Sequence, residues 1–358
     1  MKITPLYEEH KKLKAKIDNF AGWSMPIQYS SIISEHNWTR NACSLFDTCH
    51  MGEFIVYGDS KESNLDKVLT ANLEDMNVGS SRYCFMLNEG GGIIDDLVVY
   101  KLAQDKWMLV VNAGTIEKDE RHLKENIYTN LENISADIAK LDLQGPSSRD
   151  VLRKFVGEGI DKLRYYHFDH FFILGKKILI SRTGYTGELG YELYIGSEGA
   201  QWLWNLILND KRVRPAGLGA RDTLRLEMGY PLYGQDINEE TSPIEAGLER
   251  FVEFKKAFIG MEALLKQREG GIKKRLVCLI TNSRRAPRKN YKIYAEEDEI
   301  GFVTSGTFSP SLSCGIGMGY IRPDYCKIGS KIIIKEGKVE IDATITNRPF
   351  YKKGSLRN

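Results

Sequence analysis

The chain has 358 residues, more than a single hydrophobic core usually organises, so we expect two or three domains. Its formal net charge is +2 and its acidic and basic residues are interspersed, which argues against binding to nucleic acid or to an anionic membrane. Small molecules or other proteins are therefore the expected partners.

The N-terminus, Met1–Pro5, lacks the apolar region of a signal peptide, and the longest apolar runs, such as Met108–Val111, have the length of a strand. A soluble cytoplasmic protein is the expectation. The six cysteines show no Cys-x-x-Cys spacing and the six histidines no His-x-x-x-His pair, so the sequence predicts no metal site.

Alternation and turn residues predict the first elements. Glu53–Tyr57 is predicted to be a strand, and Ser63–Thr70 a helix with one apolar face. Ile93–Leu102 and Trp107–Asn112 predict two strands of a hairpin, joined by the polar turn Ala103–Lys106.

The centre of that turn determines which residues face each other. If it lies between Gln104 and Asp105, Asp96 is opposite Ala113 and close to Asn112. Two polar groups would then share one end of the sheet.

Two adjacent carboxylates, Asp95 and Asp96, lie between the glycines Gly90–Gly92 and a strongly apolar strand. An ionised side chain taken out of water needs a partner, so acids in this place suggest chemistry, although a polar strand end beside a surface turn is the alternative. Because successive strand residues point to opposite faces, the two acids cannot easily act as one dyad.

The next segments predict a charged amphipathic helix over Ala113–Glu125 and a hairpin over Phe171–Ile180, turning about Gly175–Lys177. The loop Arg182–Gly190 contains three glycines that permit unusual backbone angles and leads into the strand Tyr191–Ile195. Such a loop can bring backbone close to a ligand.

Ser197 is predicted to cap the following helix. Arg214–Glu227 contains Gly-x-Gly before a helix but lacks the third glycine and the preceding apolar strand of a dinucleotide site. Arg221 and Arg225 are one helical turn apart and can receive a substrate carboxylate, or else they form local ion pairs on an exposed face.

Tyr83, Tyr165, Tyr185 and Tyr191 lie near these strand and loop ends, where each can line a pocket for a heterocyclic ligand or simply pack. Glu192 faces away from its apolar strand neighbours, toward solvent or toward a ligand amine.

From about residue 273, short Val, Ile and Phe runs alternate with Gly, Ser and Pro turns, as in Gly301–Pro310, which predicts a small β-barrel. No serine elbow, phosphate-binding loop or cysteine-histidine nucleophile is present, so an enzyme of this sequence would take its nucleophile from a bound cofactor.

Many of these segments, taken in order, resemble motifs of the aminomethyltransferase (T-protein) family of the glycine cleavage system. The resemblance extends over nearly the whole chain. The motifs that carry the resemblance are Thr4–Tyr7, Phe20–Pro26, Phe46–Asp47, His50–Glu53, Gly91–Leu97, Val111–Ala113, Leu143–Pro146, Arg182–Glu188, Pro215–Asp222 and Leu232–Asp236.

The resemblance implies an α+β, multidomain folate-binding aminomethyltransferase fold with mixed α/β N-terminal domains and a C-terminal β-barrel around a central channel. Residues 1–272 would form two interleaved α+β domains, split approximately into 1–52 plus 140–272 and 53–139. Residues 273–358 would form the barrel.

The resemblance also implies the reaction. An aminomethyl group on the lipoyl arm of H-protein would be passed to tetrahydrofolate as co-substrate, without a metal ion. The products would be ammonia, 5,10-methylenetetrahydrofolate and the dihydrolipoyl arm.

By position in the family motifs, Asp96 would be the catalytic carboxylate beside the reacting pterin nitrogens. It would stabilise positive charge on the folate N5 nitrogen as that nitrogen attacks the methylene carbon. The residues implied to bind the folate are Tyr83, Asp96, Asn112, Tyr165, Tyr185, Glu192 and Arg221.

The chain departs from the family pattern at Thr48–Cys49, at Leu248–Phe251, which lacks a tryptophan, and at Arg357, which aligns only loosely with a basic tail residue. Two other functions remain open from the residues. One is a folate-dependent demethylase of a small methylated donor, and the other is a non-catalytic folate-binding scaffold, whose characteristic cysteine is absent from Gly229–Asp236.

Overall fold

The computed structural model describes residues 1–356. Its α-helices are short and are separated by strands. They are α1 Tyr7–Lys12, α2 Ile32–Asn41, α3 Leu65–Val68, α4 Ile116–Asn126, α5 Ser148–Val156, α6 Ala200–Leu208, α7 Leu218–Glu227 and α8 Met261–Gly270.

Strands occur along the whole described chain. Those of the first 215 residues are β1 Lys16–Phe20, β2 Trp23–Gln28, β3 Cys43–Asp47, β4 Gly52–Tyr57, β5 Ser81–Leu87, β6 Ile93–Ala103, β7 Lys106–Val111, β8 Leu131–Asn133, β9 Ile138–Gln144, β10 Phe168–Ile173, β11 Lys176–Ser181, β12 Gly190–Gly196 and β13 Val213–Pro215. The later strands are β14 Arg275–Thr281, β15 Lys292–Ala295, β16 Asp298–Ser309, β17 Cys314–Ile321, β18 Lys331–Glu336 and β19 Val339–Thr346.

The chain divides into two compact units. The first consists of Met1–Cys84, Leu97–Asp222 and the described residues from Lys353, and the second of Phe85–Asp96 and Thr223–Lys352. The expected domain boundaries at residues 52, 139 and 272 stay a prediction.

The first unit contains the β1-β2 hairpin and a six-stranded sheet of order β10-β11-β12-β9-β3-β13. A five-stranded sheet has the order β5-β6-β7-β4-β8, and its residues belong to the first unit except for the end of β5 and the start of β6. One face of the six-stranded sheet presents Leu141, Leu143 and Leu193 to a core that includes Trp204 and Ile207 of α6. All five side chains are fully buried, as expected for alternating apolar positions of a sheet that a helix covers.

The opposite face of the six-stranded sheet packs on the five-stranded sheet. Leu179 and Tyr194 of the first sheet contact an apolar cluster that includes Ile55, Tyr100 and Met108 of the second. This face is therefore also removed from water, although it carries charged residues.

The second unit contains a closed six-stranded barrel, in which the strands are paired in the order β14-β17-β16-β15-β18-β19. Isoleucine and valine side chains such as Ile293, Val303, Ile334 and Ile345 fill its interior. The predicted C-terminal barrel and the mixed α+β fold class are confirmed.

The hairpin of β6 and β7 forms as predicted, but the predicted register of its strands was wrong by one residue beyond the first pair. Ala103 pairs with Lys106 across a two-residue turn, whereas a bulge between Lys101 and Ala103 brings Val98 opposite Val110. An extra residue in one strand displaces every later pair, so the count that put Asp96 opposite Ala113 fails.

Three local predictions also need correction. The helix expected at Ser63–Thr70 is reduced to the single turn of α3, and α4 begins at Ile116 rather than Ala113. Ser197 does not cap α6; it begins a short 3-10 turn that leads into the helix.

A buried hydrogen-bonded carboxylate ties the N-terminus to the six-stranded sheet. Asp47 at the end of β3 accepts hydrogen bonds from the Thr4 hydroxyl at 2.6 Å and from the Cys49 amide at 2.9 Å, and its Oδ2 lies 2.8 Å from His10 Nε2. Burial alone would raise the pKa of Asp47, but these partners, His10 above all, lower it to about 2.

We expect Asp47→Asn to lower the free energy of unfolding at neutral pH by about 2 kcal/mol, because a lowered carboxyl pKa stabilises the folded state. The contribution is fully present above the ordinary aspartate pKa and is lost as the pH falls toward about 2. Guanidinium unfolding at several pH values should therefore show the wild type and variant converging in acid. The exposed Asp18→Asn is the control, and a constant difference at every pH would contradict this prediction.

Candidate active site

The candidate site begins with the charged residues of β9. Lys140 and Asp142 alternate with Ala139, Leu141 and Leu143, so both lie on the face that packs against the five-stranded sheet. Their relative exposure is 1% and 0%. Charges this deeply buried are stable only when they are paired.

The neighbouring strand β12 places a second carboxylate on the same face. Glu192 pairs in register with Asp142, and Tyr194 pairs with Lys140. Like charges directly across a strand pair repel each other, so this arrangement requires cations.

Two cations supply the compensation. The Lys140 amine lies 2.8 Å from Asp142 Oδ1 and 2.8 Å from Glu192 Oε1. Arg221 on α7 donates to Asp142 Oδ2 at 2.6 Å. We call Lys140, Asp142, Glu192 and Arg221 the charge cluster; it contains two cations and two carboxylates.

Burial and ion pairing act in opposite directions on these groups. Burial favours the neutral amine of Lys140, but the carboxylates of Asp142 and Glu192 outweigh it and raise the lysine pKa. Burial would likewise raise the pKa of Asp142, but Lys140 and Arg221 together lower it. Both residues are therefore ionised at neutral pH.

Hydroxyl groups hold the second oxygen of Glu192. Its Oε2 accepts hydrogen bonds from Thr183 at 2.6 Å, from Tyr100 at 3.1 Å and from Tyr194 at 3.3 Å. Burial, followed by the charge of Glu192, raises the pKa of both tyrosines well above the ordinary value, which keeps them protonated as donors.

Two further titratable groups lie beside the charge cluster. Burial lowers the pKa of His50 to about 4, so this residue is neutral near pH 7, and burial raises the pKa of Glu53 well above its ordinary value. Within residues 1–356, His50 Nδ1 and Glu53 Oε1 are buried without a hydrogen-bond partner.

The loop Arg182–Gly190 presents Tyr185 to Arg221, whose guanidinium carbon lies 5.2 Å from the tyrosine ring centroid. Gln144 at the end of β9 holds this loop, because its amide donates to the Thr183 carbonyl at 3.2 Å and accepts from the Thr186 hydroxyl at 3.0 Å.

Of the three glycines in the loop, Gly187 has a positive φ of 78°. Gly184 and Gly190 are required for space instead, since a Cβ at either would collide with the Gln144 side chain.

Three other predicted site residues of the first unit lie on a strand or close to the end of one. Tyr83 is half-buried on β5, and Asn112 is half-buried directly after β7, where its carbonyl accepts a hydrogen bond from the Thr115 hydroxyl at 2.9 Å. Tyr165 is 37% exposed, with its ring 4.6 Å from that of Tyr166.

Asp96 lies in the second unit, on β6. It is half-buried, whereas Asp95 is fully buried, as expected for successive residues on opposite faces of a strand. The start of this strand is fixed, because the Ile93 amide donates to the Asn238 and Thr241 carbonyls and the Ile93 carbonyl accepts from the Tyr233 hydroxyl at 3.2 Å.

The idea that Arg225 receives a substrate carboxylate together with Arg221 is wrong. Arg225 is 1% exposed and donates to Asp236 Oδ2 at 2.7 Å and to the Tyr230 carbonyl at 2.9 Å within the second unit. Its charge stabilises the fold through a buried ion pair with Asp236. Arg357 lies outside the described residues.

Comparison with known proteins identifies the architecture. A family model described as the GCVT N-terminal domain matches residues 6–256, and one described as the glycine cleavage T-protein C-terminal barrel domain matches residues 274–352. The chain belongs to the glycine cleavage T-protein family.

Individual relatives agree along the full length of this T-protein family member. It is 48% identical over 356 residues to an aminomethyltransferase of Halothermothrix orenii, covering 98% of this chain and 100% of that protein. An aminomethyltransferase of Thermotoga maritima is 42% identical, with 100% and 99% covered.

A solved structure gives the same result. The crystal structure of glycine cleavage system aminomethyltransferase T from Bartonella henselae superimposes with a TM-score of 0.92 at 34% identity, covering 99% of each chain. The prediction of a glycine cleavage aminomethyltransferase is confirmed, and neither the demethylase nor the scaffold alternative is favoured.

Lys140 and Asp142 of this family member were not predicted from the sequence to belong to a site. Together with Gln144 they form a polar series at every second position of a strand, ending before Gly145–Pro146. That series is the sequence feature that could have indicated these site residues, but a polar strand face with this period usually faces water.

Within residues 1–356 no group of three or more His, Cys, Asp or Glu side chains has the geometry to hold a metal ion. No helix in the same range combines the length and apolarity needed to cross a membrane.

Proposed function

We propose that this aminomethyltransferase takes the aminomethyl group from the lipoyl arm of H-protein and transfers its carbon to tetrahydrofolate. Ammonia, 5,10-methylenetetrahydrofolate and the dihydrolipoyl arm are the proposed products. The proposed reaction uses tetrahydrofolate as co-substrate and no metal ion.

The charge cluster is the observation that carries this proposal. A pterin ring presents amine and amide hydrogens along one edge, and the Glu192 carboxylate supplies acceptors for them. Arg221 supplies a rigid fork for an anionic or carbonyl group, and Tyr185, against Arg221, supplies a flat apolar surface. The donor and acceptor types therefore fit the co-substrate.

Tyr83, Asn112 and Tyr165 are proposed to complete the folate-binding shell, on the strength of their positions in the family motifs. Asp96 is proposed as the catalytic carboxylate. Tetrahydrofolate would supply the nucleophilic nitrogen. The protein would supply alignment, which contributes roughly 7–11 kcal/mol in the best-oriented intramolecular reactions.

A steady-state assay of ammonia release tests the donor and the acceptor together. With aminomethylated H-protein we expect turnover that depends on tetrahydrofolate, and with free methylated amines no turnover. Activity on a free amine alone would refute the proposed donor. Folate binding without ammonia release from aminomethylated H-protein would refute the proposed reaction.

Glu192→Gln tests the folate assignment. The variant removes the negative charge, so we expect the KM for tetrahydrofolate to rise by about 10-fold or more, since a charge-assisted hydrogen bond contributes roughly 1.5–3 kcal/mol. Glu198→Gln, in the exposed turn after β12, is the control. An unchanged KM in Glu192→Gln would remove Glu192 from the binding shell.

A further inference from the structure

We propose that Lys140 is a positioning residue that holds Glu192 as an ionised, fixed acceptor for the co-substrate. The inference rests on the proposed role of Glu192 in folate binding. It adds a residue that touches no substrate and acts through its contact with Glu192.

The register of the sheet creates the need for such a residue. Asp142 and Glu192 are direct cross-strand partners on a buried face, where the low dielectric strengthens their repulsion. The Lys140 amine lies within 2.8 Å of an oxygen of each carboxylate. It is therefore a cation shared between two groups that would otherwise repel each other.

Arg221 does not replace Lys140 at Glu192. The structure pairs Arg221 with the Oδ2 oxygen of Asp142 at 2.6 Å, and Lys140 with Oε1 of Glu192. Each cation thus has its own position, and the loss of the lysine removes the ion pair of Glu192 while Asp142 keeps Arg221.

Glu192 is surrounded by titratable and charged groups from every element packed against it. These are Lys140 and Asp142 on β9, Tyr194 on β12, Tyr100 on β6, Glu53 on β4, Arg221 on α7 and His50 after β3. The charge cluster, with two cations and two carboxylates, sums to zero only while Lys140 is present. Without it, one buried negative charge is uncompensated.

Proton uptake is the least costly response to that excess charge. Glu192 is the group concerned, because Asp142 retains Arg221 and the tyrosines are already protonated. A protonated Glu192 loses its charge and one acceptor position, and both are needed to bind the amine and amide hydrogens of a pterin. Folate binding should then depend on pH.

Lys140→Met tests this consequence. We expect the KM for tetrahydrofolate to rise about 10-fold near pH 6.5, because proton uptake removes the charged acceptor, and to return to within about twofold of wild type near pH 9. The kcat at saturating tetrahydrofolate should stay within about twofold at both pH values, because the lysine does not contact the reacting atoms. Direct titration with tetrahydrofolate, followed by protein fluorescence, should show the same pH dependence.

Two variants separate charge from packing. Lys101→Met removes another buried lysine of the first unit, whose amine donates to the Met76 carbonyl at 3.0 Å, and should leave the pH profile of KM unchanged. Lys140→Met/Asp142→Ala removes one cation and one carboxylate together and should restore a flat profile. If Lys140→Met does not fold, Lys140→Gln replaces it with the same expectation.

A rise in KM that is equal at every pH would overturn the proposal, because lost packing alone would explain it. A pH-dependent rise that persists in the double variant would also overturn it. If the proposed function itself is wrong, the results differ from these. The wild type would then show no tetrahydrofolate-dependent turnover, or Glu192→Gln would leave the KM for tetrahydrofolate unchanged.

Discussion

Asp96→Asn is expected to lower kcat by about 10²–10⁴ while most of the affinity for tetrahydrofolate is kept. The amide has nearly the same shape as the carboxylate and can still hydrogen-bond to a pterin ring. It carries no negative charge to stabilise positive charge that develops on the attacking nitrogen. The measurement is kcat with aminomethylated H-protein, together with a direct titration of tetrahydrofolate.

The adjacent carboxylate provides a matched control. Asp95 is 0% exposed and belongs to the opposite face of β6, so Asp95→Asn should lower the unfolding midpoint and leave kcat within about threefold of wild type. If Asp96→Asn keeps its kcat, or if Asp95→Asn loses more turnover than Asp96→Asn does, the catalytic assignment fails.

Where local sequence rules agreed with each other, the fold was predictable. Short β-branched runs separated by Gly, Ser and Pro turns predicted the barrel, since closure of the sheet pairs the strand edges that would otherwise be exposed. The hairpin of β6 and β7 was predictable for the same reason. Its register was not predictable, because the sequence Lys101–Ala103 does not indicate a bulge.

A second hairpin shows how an unusual residue misleads a turn prediction. Strands β10 and β11 turn at Leu174 and Gly175, with φ of 48° and 81°, so Lys176 and Lys177 belong to the strand rather than the turn. A leucine with positive φ is uncommon, and the sequence gives no sign of it.

The candidate site was predictable only in part. Asp96 stands out as a carboxylate in apolar surroundings, and Tyr185 and Arg221 stand out through family motifs. Lys140 and Asp142 resemble a solvated strand face, because burial of that face depends on a second sheet that packs against it. Local alternation describes one strand at a time, and tertiary packing decides whether its polar face meets water.

The largest expected loss of stability comes from Arg225→Met. The Asp236 side chain is fully buried, and it accepts hydrogen bonds from Arg225, from the Leu232 amide at 2.9 Å and from the Ser305 hydroxyl at 2.9 Å. Methionine would leave this carboxylate buried without its cation, which typically costs about 3–5 kcal/mol. Guanidinium unfolding, followed by fluorescence, measures the loss.

Two controls show whether the buried charge is the cause. Arg268 pairs with Glu249 at 2.9 Å, but both side chains are about half exposed, so Arg268→Met should cost less than about 1 kcal/mol. Arg225→Met/Asp236→Leu removes the stranded carboxylate and should recover part of the loss, since a buried ion pair can be replaced by apolar groups at little cost. Equal losses in the single and double variants would mean that the guanidinium stabilises the fold through the Tyr230 carbonyl and the Ser305 hydroxyl, to which it also donates.

Because the Tyr233 hydroxyl donates to the Ile93 carbonyl on the strand of Asp96, a loosened segment around Asp236 should also lower kcat at temperatures below the unfolding transition.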